Sequence, residues 1–207
     1  TTGIHNAKGV HFNQAFDALS RPLVRSQNLT ADDIEWVYDD EQAKAVGRLY
    51  QLIDTTGINQ YTYDEFGNIV VHSQELQVGG SSSVNVNTTY GYNLRGALAS
   101  IQYPGGRTVN YNSTRGRVNG VNSDQGSILS SVQYEPFGSI GTLSYSNGVV
   151  QSTNFDIDGR LSELAVVQSN NDIFRLSYRF DSFNNIVGID SSTSKEANQS
   201  FAYDKVH

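Results

Sequence analysis

The sequence predicts an all-β protein, a repetitive antiparallel β-hairpin strip. The composition combines 11% aromatic residues with 19 Gly, and aromatic residues suit pleated strands whereas Gly suits tight turns. A sequence motif such as YTYDEFGNIV, residues 61–70, recurs along the chain. A second set of turn residues stands between the copies, so each copy is predicted to mark a hairpin.

One aromatic residue anchors each copy, and the anchors are spaced by about 23 residues, within the range of repeat arrays. An acidic residue or Asn follows the anchor in all nine copies. The anchors are Phe16, Tyr38, Tyr63, Tyr92, Tyr111, Tyr134, Phe155, Phe180 and Tyr203, and the residues that follow are Asp17, Asp39, Asp64, Asn93, Asn112, Glu135, Asp156, Asp181 and Asp204. We predict a single array of about nine units over residues 1–207. Because the chain begins with Thr and contains no Met, we expect it to be a fragment of a much larger chain.

The residues after the anchor have the chemistry of a tight turn. Asp or Asn at the first position of a type I turn accepts hydrogen bonds from backbone N–H groups two residues on. A residue that tolerates a left-handed backbone then returns the chain as an antiparallel strand. It stands four positions after the anchor at Gly67, Gly96, Gly138, Gly159, Asn184 and Ser20, five after it at Gly116 and nine after it at Gly47. We interpret the acidic residues as turn formers and not as catalytic carboxylates, which need a pair in unequal environments.

Second turns are predicted between the motifs, at residues 55–60, 104–107, 146–149 and 169–172. Two strands per unit then give roughly sixteen short strands. The segment GGSSS, residues 79–83, is predicted to be the flexible tip of a long hairpin between strands near 69–78 and 84–93. The insertion after Asp39 is rich in Ala and Glu, which predicts a helical turn near 40–46.

The composition argues against several classes of partner and site. The net charge is −7 and the 14 Lys and Arg residues are scattered singly, without the basic stripe that nucleic-acid binding needs. No Cys is present, so disulfides and thiolate metal sites are impossible. No apolar run reaches the roughly 18 residues of a membrane span. The sequence therefore predicts no nucleic-acid partner and no membrane span.

The candidate catalytic and metal-binding motifs in the sequence are all incomplete. Asp156 and Asp158 in FDIDGR resemble part of a calcium loop but lack the third ligand, the distal Glu and the flanking helices. No GxSxG elbow and no phosphate loop occurs. The histidines form no HExxH or Cys/His cluster; they are His5, His11, His72 and His207. We predict no catalytic, cofactor-binding or metal-binding residues, so the chain is not expected to be an enzyme.

The pattern aromatic-x-aromatic-Asp-x-x-Gly-Arg/Asn-Leu resembles the RHS/YD-repeat family. Whole segments between the motifs resemble it too, as in YPGGRTVNY at 103–111, YSNGVVQSTNFDIDGRL at 145–161 and residues 36–68. Members include bacterial polymorphic toxins, the C component of Tc insecticidal toxins and animal teneurins. The resemblance implies a strip that spirals into a hollow shell, and in bacteria this shell encloses a toxic C-terminal domain. The absence of Cys favours the bacterial branch, and no DPxG-like segment that closes the shell is present.

The resemblance implies a structural, encapsulating segment of a secreted bacterial RHS-repeat protein, with a secreted or cell-surface location. Its expected partners are the remaining RHS repeats and the C-terminal toxin domain of the parent chain. Exposed edge strands also predict self-association. The alternative hypothesis is an extracellular adhesion module that binds carbohydrate or protein through aromatic residues on a curved sheet.

Overall fold

The computed structural model describes residues 2–5, 11–27, 33–79, 82–192 and 198–204. The described residues form β-strands joined by turns and contain no helix. The chain divides into two compact units, Thr1–Thr108 and Val109–His207. Inside each unit every strand pairs antiparallel with the next strand along the chain. The predicted fold class, an all-β strip of antiparallel hairpins, is confirmed, whereas the single array over residues 1–207 stays a prediction.

The first unit contains nine strands among its described residues. They are β1 (Thr2–His5), β2 (His11–Phe16), β3 (Pro22–Gln27), β4 (Ile34–Tyr38), β5 (Leu49–Asp54), β6 (Gly57–Tyr63), β7 (Ile69–Gly79), β8 (Ser82–Tyr92) and β9 (Leu98–Gln102). The long hairpin of β7 and β8 confirms the strands predicted near 69–78 and 84–93. Residues 80 and 81, in its predicted tip, lie outside the described residues.

Nine further strands are described, and all of their residues except Thr108 lie in the second unit. They are β10 (Thr108–Thr114), β11 (Arg117–Ser123), β12 (Gly126–Tyr134), β13 (Ile140–Tyr145), β14 (Val149–Phe155), β15 (Leu161–Gln168), β16 (Asn171–Phe180), β17 (Ile186–Ser191) and β18 (Gln199–Ser200). The turn predicted within 169–172 is present, with φ of 50° at Ser169 and 64° at Asn170. Two consecutive left-handed residues form the tight type I′ turn that suits the twist of a hairpin.

Six motif turns share the geometry of a three-residue loop. At Asp64, the Gly67 N–H donates to the Asp64 carbonyl at 3.2 Å and the Asp64 N–H donates to the Asn68 carbonyl at 2.9 Å. Gly67 has φ of 86°, in the left-handed region that closes such a loop. The other five turns begin at Asp17, Asn93, Glu135, Asp156 and Asp181, and their left-handed residues are Ser20, Gly96, Gly138, Gly159 and Asn184. The predicted turn residues are confirmed at all of these positions.

The motif at Tyr111 departs from this geometry. Strand β10 continues past Tyr111 to Thr114, and Asn112 pairs with Gly120 inside the sheet. The chain turns at Arg115 and Gly116, which have φ of 55° and 81°. The prediction that Asn112 opens a turn is wrong, because the two left-handed residues reverse the chain three positions later.

A shift in strand register recurs at the anchor residues. Thr62 pairs with Val71 but Tyr63 pairs with Ile69, so Val70 is an extra residue on the return strand. The same shift occurs at Phe16, Tyr38, Tyr92, Tyr134, Phe155 and Phe180. A bulge increases local twist and bends its strand, so each of these hairpins is twisted at the same place.

The insertion at residues 40–46 folds into consecutive turns and not into the predicted helical turn. The Ala45 N–H donates to the Asp40 carbonyl at 2.7 Å, a spacing of five residues that an α-helix does not use. The Tyr63 N–H donates to the Ala43 carbonyl at 2.9 Å, and both alanines are buried against Tyr63. The alanines therefore permit close packing on the next anchor, and this tertiary contact outweighs helix propensity.

Each unit is a single sheet with little interior. No large side chain among the described residues is fully buried, and the buried apolar residues are Ala43, Ala45, Tyr63, Val132 and Ala165. Tyr61, Tyr92 and Phe155 are only half-buried. The fold of each unit therefore rests on strand pairing and on contacts between neighbouring repeats.

Candidate functional site

The motif turns of each unit lie along one edge of its sheet, here called the motif edge. Antiparallel hairpins alternate between the two edges, so the turns β2–β3, β4–β5, β6–β7 and β8–β9 share one edge of the first unit. The turns β10–β11, β12–β13, β14–β15 and β16–β17 do the same in the second unit. Each motif contributes two strands about 4.8 Å apart, so successive motif turns are about 10 Å apart. The charged and aromatic residues of the motif are thereby repeated at short intervals.

Ionised carboxylates close four of the motif turns. The Asp64 carboxylate accepts hydrogen bonds of 2.9 Å from the N–H groups of Phe66 and Asn68 and from the Asn68 side-chain amide. These bonds, that of the Asn68 amide first, hold the pKa of Asp64 below its ordinary value. The pKa values of three further carboxylates are lowered first by the backbone N–H four residues on: Asp17, Asp156 and Asp181. These groups are anionic at neutral pH and are engaged in the turns, as predicted.

Four tyrosine hydroxyls link a repeat to the preceding one. The Tyr63 hydroxyl donates to the Leu49 carbonyl at 2.6 Å, and the Tyr92 hydroxyl donates to the Ile69 carbonyl at 2.9 Å. In the second unit the same bonds of 2.9 Å join Tyr134 to Val118 and Tyr203 to Ile186. The acceptor always stands two residues after the left-handed residue of the previous turn. The motif tyrosine therefore holds neighbouring repeats in register.

Arginine residues make a second link between repeats, which our sequence analysis missed. The Arg160 guanidinium binds the Asp156 carboxylate at 2.7 Å and donates to the Asn184 side-chain carbonyl of the next turn at 2.7 Å. Its central carbon lies 4.8 Å from the centroid of the Phe180 ring. A guanidinium over an aromatic face gains cation–π attraction. Arg160 thus fills the groove between two successive motif turns.

The same stacking recurs at three other motifs. Arg21 lies 4.3 Å from the Tyr38 centroid, Arg48 lies 5.7 Å from that of Tyr63, and Arg117 lies 5.1 Å from that of Tyr134. Arg21 also pairs with Asp17 at 2.6 Å and with Asp39 of the next motif at 2.5 Å. In all four cases the arginine directly follows the left-handed turn residue, as Ser-Arg or Gly-Arg. The Ser-Arg or Gly-Arg dipeptide could therefore have predicted the arginine link from the sequence.

Two grooves have no such arginine: the first lies between two motif turns, and the second lies between a motif turn and residues 201–204. The first groove, of about 510 Å³, is lined by Asp64, Phe66, Asn68, Tyr92, Asn93, Leu94, Arg95 and Gly96. The second groove, of about 410 Å³, is lined by Asp181, Phe183, Asn185, Val187, Phe201, Ala202, Tyr203 and Asp204. Asn68 and Asn185 occupy the motif position that holds Arg elsewhere, and each amide donates to the carboxylate of its own turn at 2.9 and 3.0 Å. The two grooves are therefore equivalent sites in different repeats.

Exposed apolar side chains stand at the tips of the motif turns. Phe66 is 88% exposed and belongs to a series in which one central turn residue is apolar. The series consists of Leu19, Phe66 and Leu94 in the first unit and Phe137, Ile157 and Phe183 in the second. The motif edge thus presents apolar contacts beside its carboxylates.

The remaining candidates for chemistry are accounted for by local contacts. Asp156 and Asp158, considered for calcium, both pair with Arg160, at 2.7 and 3.1 Å. His72 stacks on Tyr61 with ring centroids 4.7 Å apart, and burial lowers its pKa below 6.5. His207 and the side chain of His5 lie outside the described residues.

The described ranges contain neither a metal centre nor a membrane helix. No group of three or more His, Asp or Glu side chains is placed there to hold a metal ion. None of those residues belongs to a helix long and apolar enough to cross a membrane.

Comparison with known proteins identifies structural relatives. No family model matches the sequence, and no curated protein matches it. The crystal structure of TcdB2-TccC3 is similar with a TM-score of 0.77 and 16% identity over 90% of this chain. A structure of the Photorhabdus luminescens Tc holotoxin pore that carries a TccC3 variant is similar with a TM-score of 0.78 and 16% identity over 92% of this chain.

A third similar structure is that of TcdB2-TccC3 without its hypervariable C-terminal region, with a TM-score of 0.78 and 16% identity over 92% of this chain. In all three comparisons the chain spans only 11% of the length of the other chain. The matched part is therefore a short stretch of a much larger structure. The chain shares the fold of the matched stretch of these Tc toxin chains, in agreement with the RHS/YD-repeat resemblance of its motif.

Proposed function

We propose that the chain is a wall segment of a secreted bacterial RHS-repeat shell and that the shell encloses a C-terminal toxin domain of the same parent protein. The observation that carries this proposal is the single-sheet architecture of each unit, which leaves no large side chain fully buried among the described residues. A globular enzyme or binding domain packs two or more layers around an apolar interior. The wall of a shell needs only one continuous sheet, with one face toward the inside of the shell and the other toward the outside.

The links between repeats suit a wall that is extended by adding units. Four motif tyrosines bind the backbone of the preceding repeat, and several motif arginines reach the following one. Arrays of this kind gain stability mainly from contacts between nearest neighbours, so their length is not limited by one core. The 11% coverage of the similar Tc toxin chains supports a role as one part of a longer strip.

The partners in this proposal are the remaining RHS repeats and the toxin domain of the parent chain, in a secreted or cell-surface particle. The role is non-catalytic. The motif carboxylates are engaged in turn hydrogen bonds and in ion pairs with arginine, which supports a structural use of these residues.

Limited proteolysis of the full-length parent protein tests containment. We expect its C-terminal domain to resist protease in the wild type and to become sensitive in a Gly57→Val variant, because a side chain at Gly57 collides with the Glu75 backbone. Gly96→Ala, at a position with open space, is the matched control. Equal digestion of the C-terminal domain in the wild type and in Gly57→Val contradicts the proposal.

Adhesion is the second candidate, and the exposed apolar turn tips favour it. A binding surface made by these tips predicts that the 207-residue chain binds a glycan array or a protein ligand directly. Phe66→Ser and Phe183→Ser variants should then lose binding without loss of folding. Protease protection without such binding supports the wall, and binding without protection supports adhesion.

A further inference from the structure

The two open grooves of the motif edge differ from the filled ones at a single motif position. Where the left-handed turn residue is followed by arginine, the guanidinium lies between two turns and covers the next anchor ring. Where it is followed by Asn68 or Asn185, the short amide reaches only the carboxylate of its own turn. The carboxylate and the next anchor ring, Tyr92 or Tyr203, then line an open space.

A different side chain fills the groove in another repeat. There the motif position is Ser139, and the Phe137 ring of the same turn lies edge-on to the next anchor, Phe155, with centroids 5.4 Å apart. The equivalent rings in the open grooves, Phe66 and Phe183, are 88% and 78% exposed. These two rings form walls of the grooves and do not close them.

We propose that the two open grooves bind arginine side chains of a second polypeptide. Arg160 shows how such a residue is held. Its guanidinium donates to one turn carboxylate, reaches the next turn and stacks on the next anchor ring. The first groove offers the Asp64 carboxylate and the Tyr92 ring in the same motif positions, and the second offers Asp181 and Tyr203.

The charges of the residues that line the two grooves favour a cationic ligand and predict which groove binds it more tightly. The first groove is lined by Asp64 together with Arg95, whereas no Lys or Arg accompanies Asp181 in the described lining of the second. The protein as a whole carries a net charge of −7, which also favours a basic partner. We therefore expect the second groove to bind arginine more tightly. This inference concerns the motif edge and does not depend on the proposed role in a shell.

A planar cation suits the grooves better than a lysine or a neutral amide. Guanidinium is flat, donates hydrogen bonds in a fork that matches a carboxylate and stacks on aromatic faces. Lysine has the positive charge of arginine but no planar group, whereas citrulline has a planar group but no charge. Discrimination among these three side chains is thus a signature of the proposed site.

The test uses N-acetyl-L-arginine amide as the probe, titrated into the 207-residue chain and followed by amide NMR shifts. We expect shifts confined to residues 64–68 and 92–96 of the first groove and to 181–185 and 201–204 of the second. The corresponding citrulline probe should bind about tenfold more weakly, since the ion pair and the cation–π contact are lost. The lysine probe should bind several-fold more weakly. Equal binding of the three probes, or shifts spread over other regions, overturns the proposal.

Variants assign the binding to individual grooves. Asn68→Arg should fill the first groove from within and abolish its shifts while the second groove still responds, and Asn185→Arg should do the reverse. Asn68→Gln is the matched control, because it keeps an amide and leaves the groove able to bind. Arg95→Ala should strengthen binding at the first groove. Undiminished binding at a groove that carries its own arginine overturns the proposal, and if a variant does not fold, the probe selectivity of the wild-type chain decides.

Discussion

The hydroxyl of Tyr63 donates a hydrogen bond of 2.6 Å to the backbone carbonyl of Leu49 in the preceding repeat. Tyr63 is the buried anchor of its motif and is packed against Ala43 and Ala45. Burial is also the main cause of its raised pKa. The bond therefore joins two repeats inside a partly dehydrated contact, where the loss of a partner is more costly than at the surface.

Tyr63→Phe should lower the free energy of unfolding by about 1 kcal/mol, because the Leu49 carbonyl loses its donor while the ring keeps its packing. Tyr61→Phe on the same sheet face is the control, since no hydrogen bond of its hydroxyl is found among the described residues. Urea unfolding followed by circular dichroism measures both. Equal effects of the two substitutions would show that the hydroxyl of Tyr63 does not link the repeats.

Gly57→Ala should be among the most damaging glycine substitutions. Gly57 has φ of 144°, and a methyl group there would lie 1.8 Å from the Glu75 carbonyl oxygen on the neighbouring strand. Backbone atoms cannot move aside cheaply, so we expect a loss of about 3 kcal/mol or more. Gly96→Ala has open space around it and should cost only about 1 kcal/mol through backbone strain. A smaller loss for Gly57→Ala than for Gly96→Ala in urea unfolding contradicts this prediction.

Gly159 isolates the effect of backbone conformation. It has φ of 77° and nothing within 4 Å of the position of a Cβ atom, so a Cβ atom meets no neighbour there and the main cost of a substitution is the left-handed backbone conformation. Gly159→Val should cost about 1–3 kcal/mol, since a branched side chain resists the left-handed region. Gly159→Asn should be nearly neutral, because Asn184 already adopts φ of 66° at the equivalent position. Thermal melts that rank Asn and Val equally would reject the conformational explanation.

Arg160→Lys tests the arginine link between repeats. Lysine retains the charge but loses both the stacking on Phe180 and the forked hydrogen bonds to Asp156 and Asn184. We expect a loss of about 1 kcal/mol in unfolding free energy and a lower Tm. Arg95→Lys is the control at a position with no stacking contact in the described part of the chain. An unchanged Tm for Arg160→Lys contradicts a structural role for the stacked guanidinium.

The motif carboxylates predict how stability depends on pH. The pKa values of Asp17, Asp64, Asp156 and Asp181 are lowered in the folded chain, so the unfolded state binds protons first as the pH falls. Stability from these groups is complete above their ordinary pKa of 3.8 and is lost as the pH falls through the lower folded values. We expect no loss from them between pH 7 and about pH 5 and a steep loss below about pH 4.

His72 contributes a separate step at higher pH, and a variant can remove it. Its pKa is lowered by burial from 6.5, so stability also decreases as the pH falls below that value. His72→Gln should flatten this upper step and leave the acid loss unchanged. Urea unfolding of both proteins as a function of pH measures the two effects, and an acid limb that disappears with His72 contradicts the carboxylate assignment.

Local chemistry explains why so many of the turns could be predicted. The conformation of a three-residue loop such as 64–68 depends on one carboxylate, one left-handed residue and the backbone between them. The errors arose where a more distant or competing feature decides. Ala43 and Ala45 are typical helix formers, but their packing against Tyr63 decides the conformation of the insertion. Asn112 is a typical turn former, but the left-handed residues Arg115 and Gly116 reverse the chain instead.

The sequence by itself determined the all-β class, the hairpin repeat, most of the turn positions and their left-handed residues, because these depend on neighbours within about five positions. Only the tertiary structure decided what lies between the repeats. Tyr63 reaches Leu49 across 14 residues and Arg160 reaches Asn184 across 24. The open grooves beside Asn68 and Asn185 exist only because strand pairing sets each motif turn beside the next anchor residue. Such contacts depend on the spacing of strands across a sheet, which no single stretch of sequence encodes.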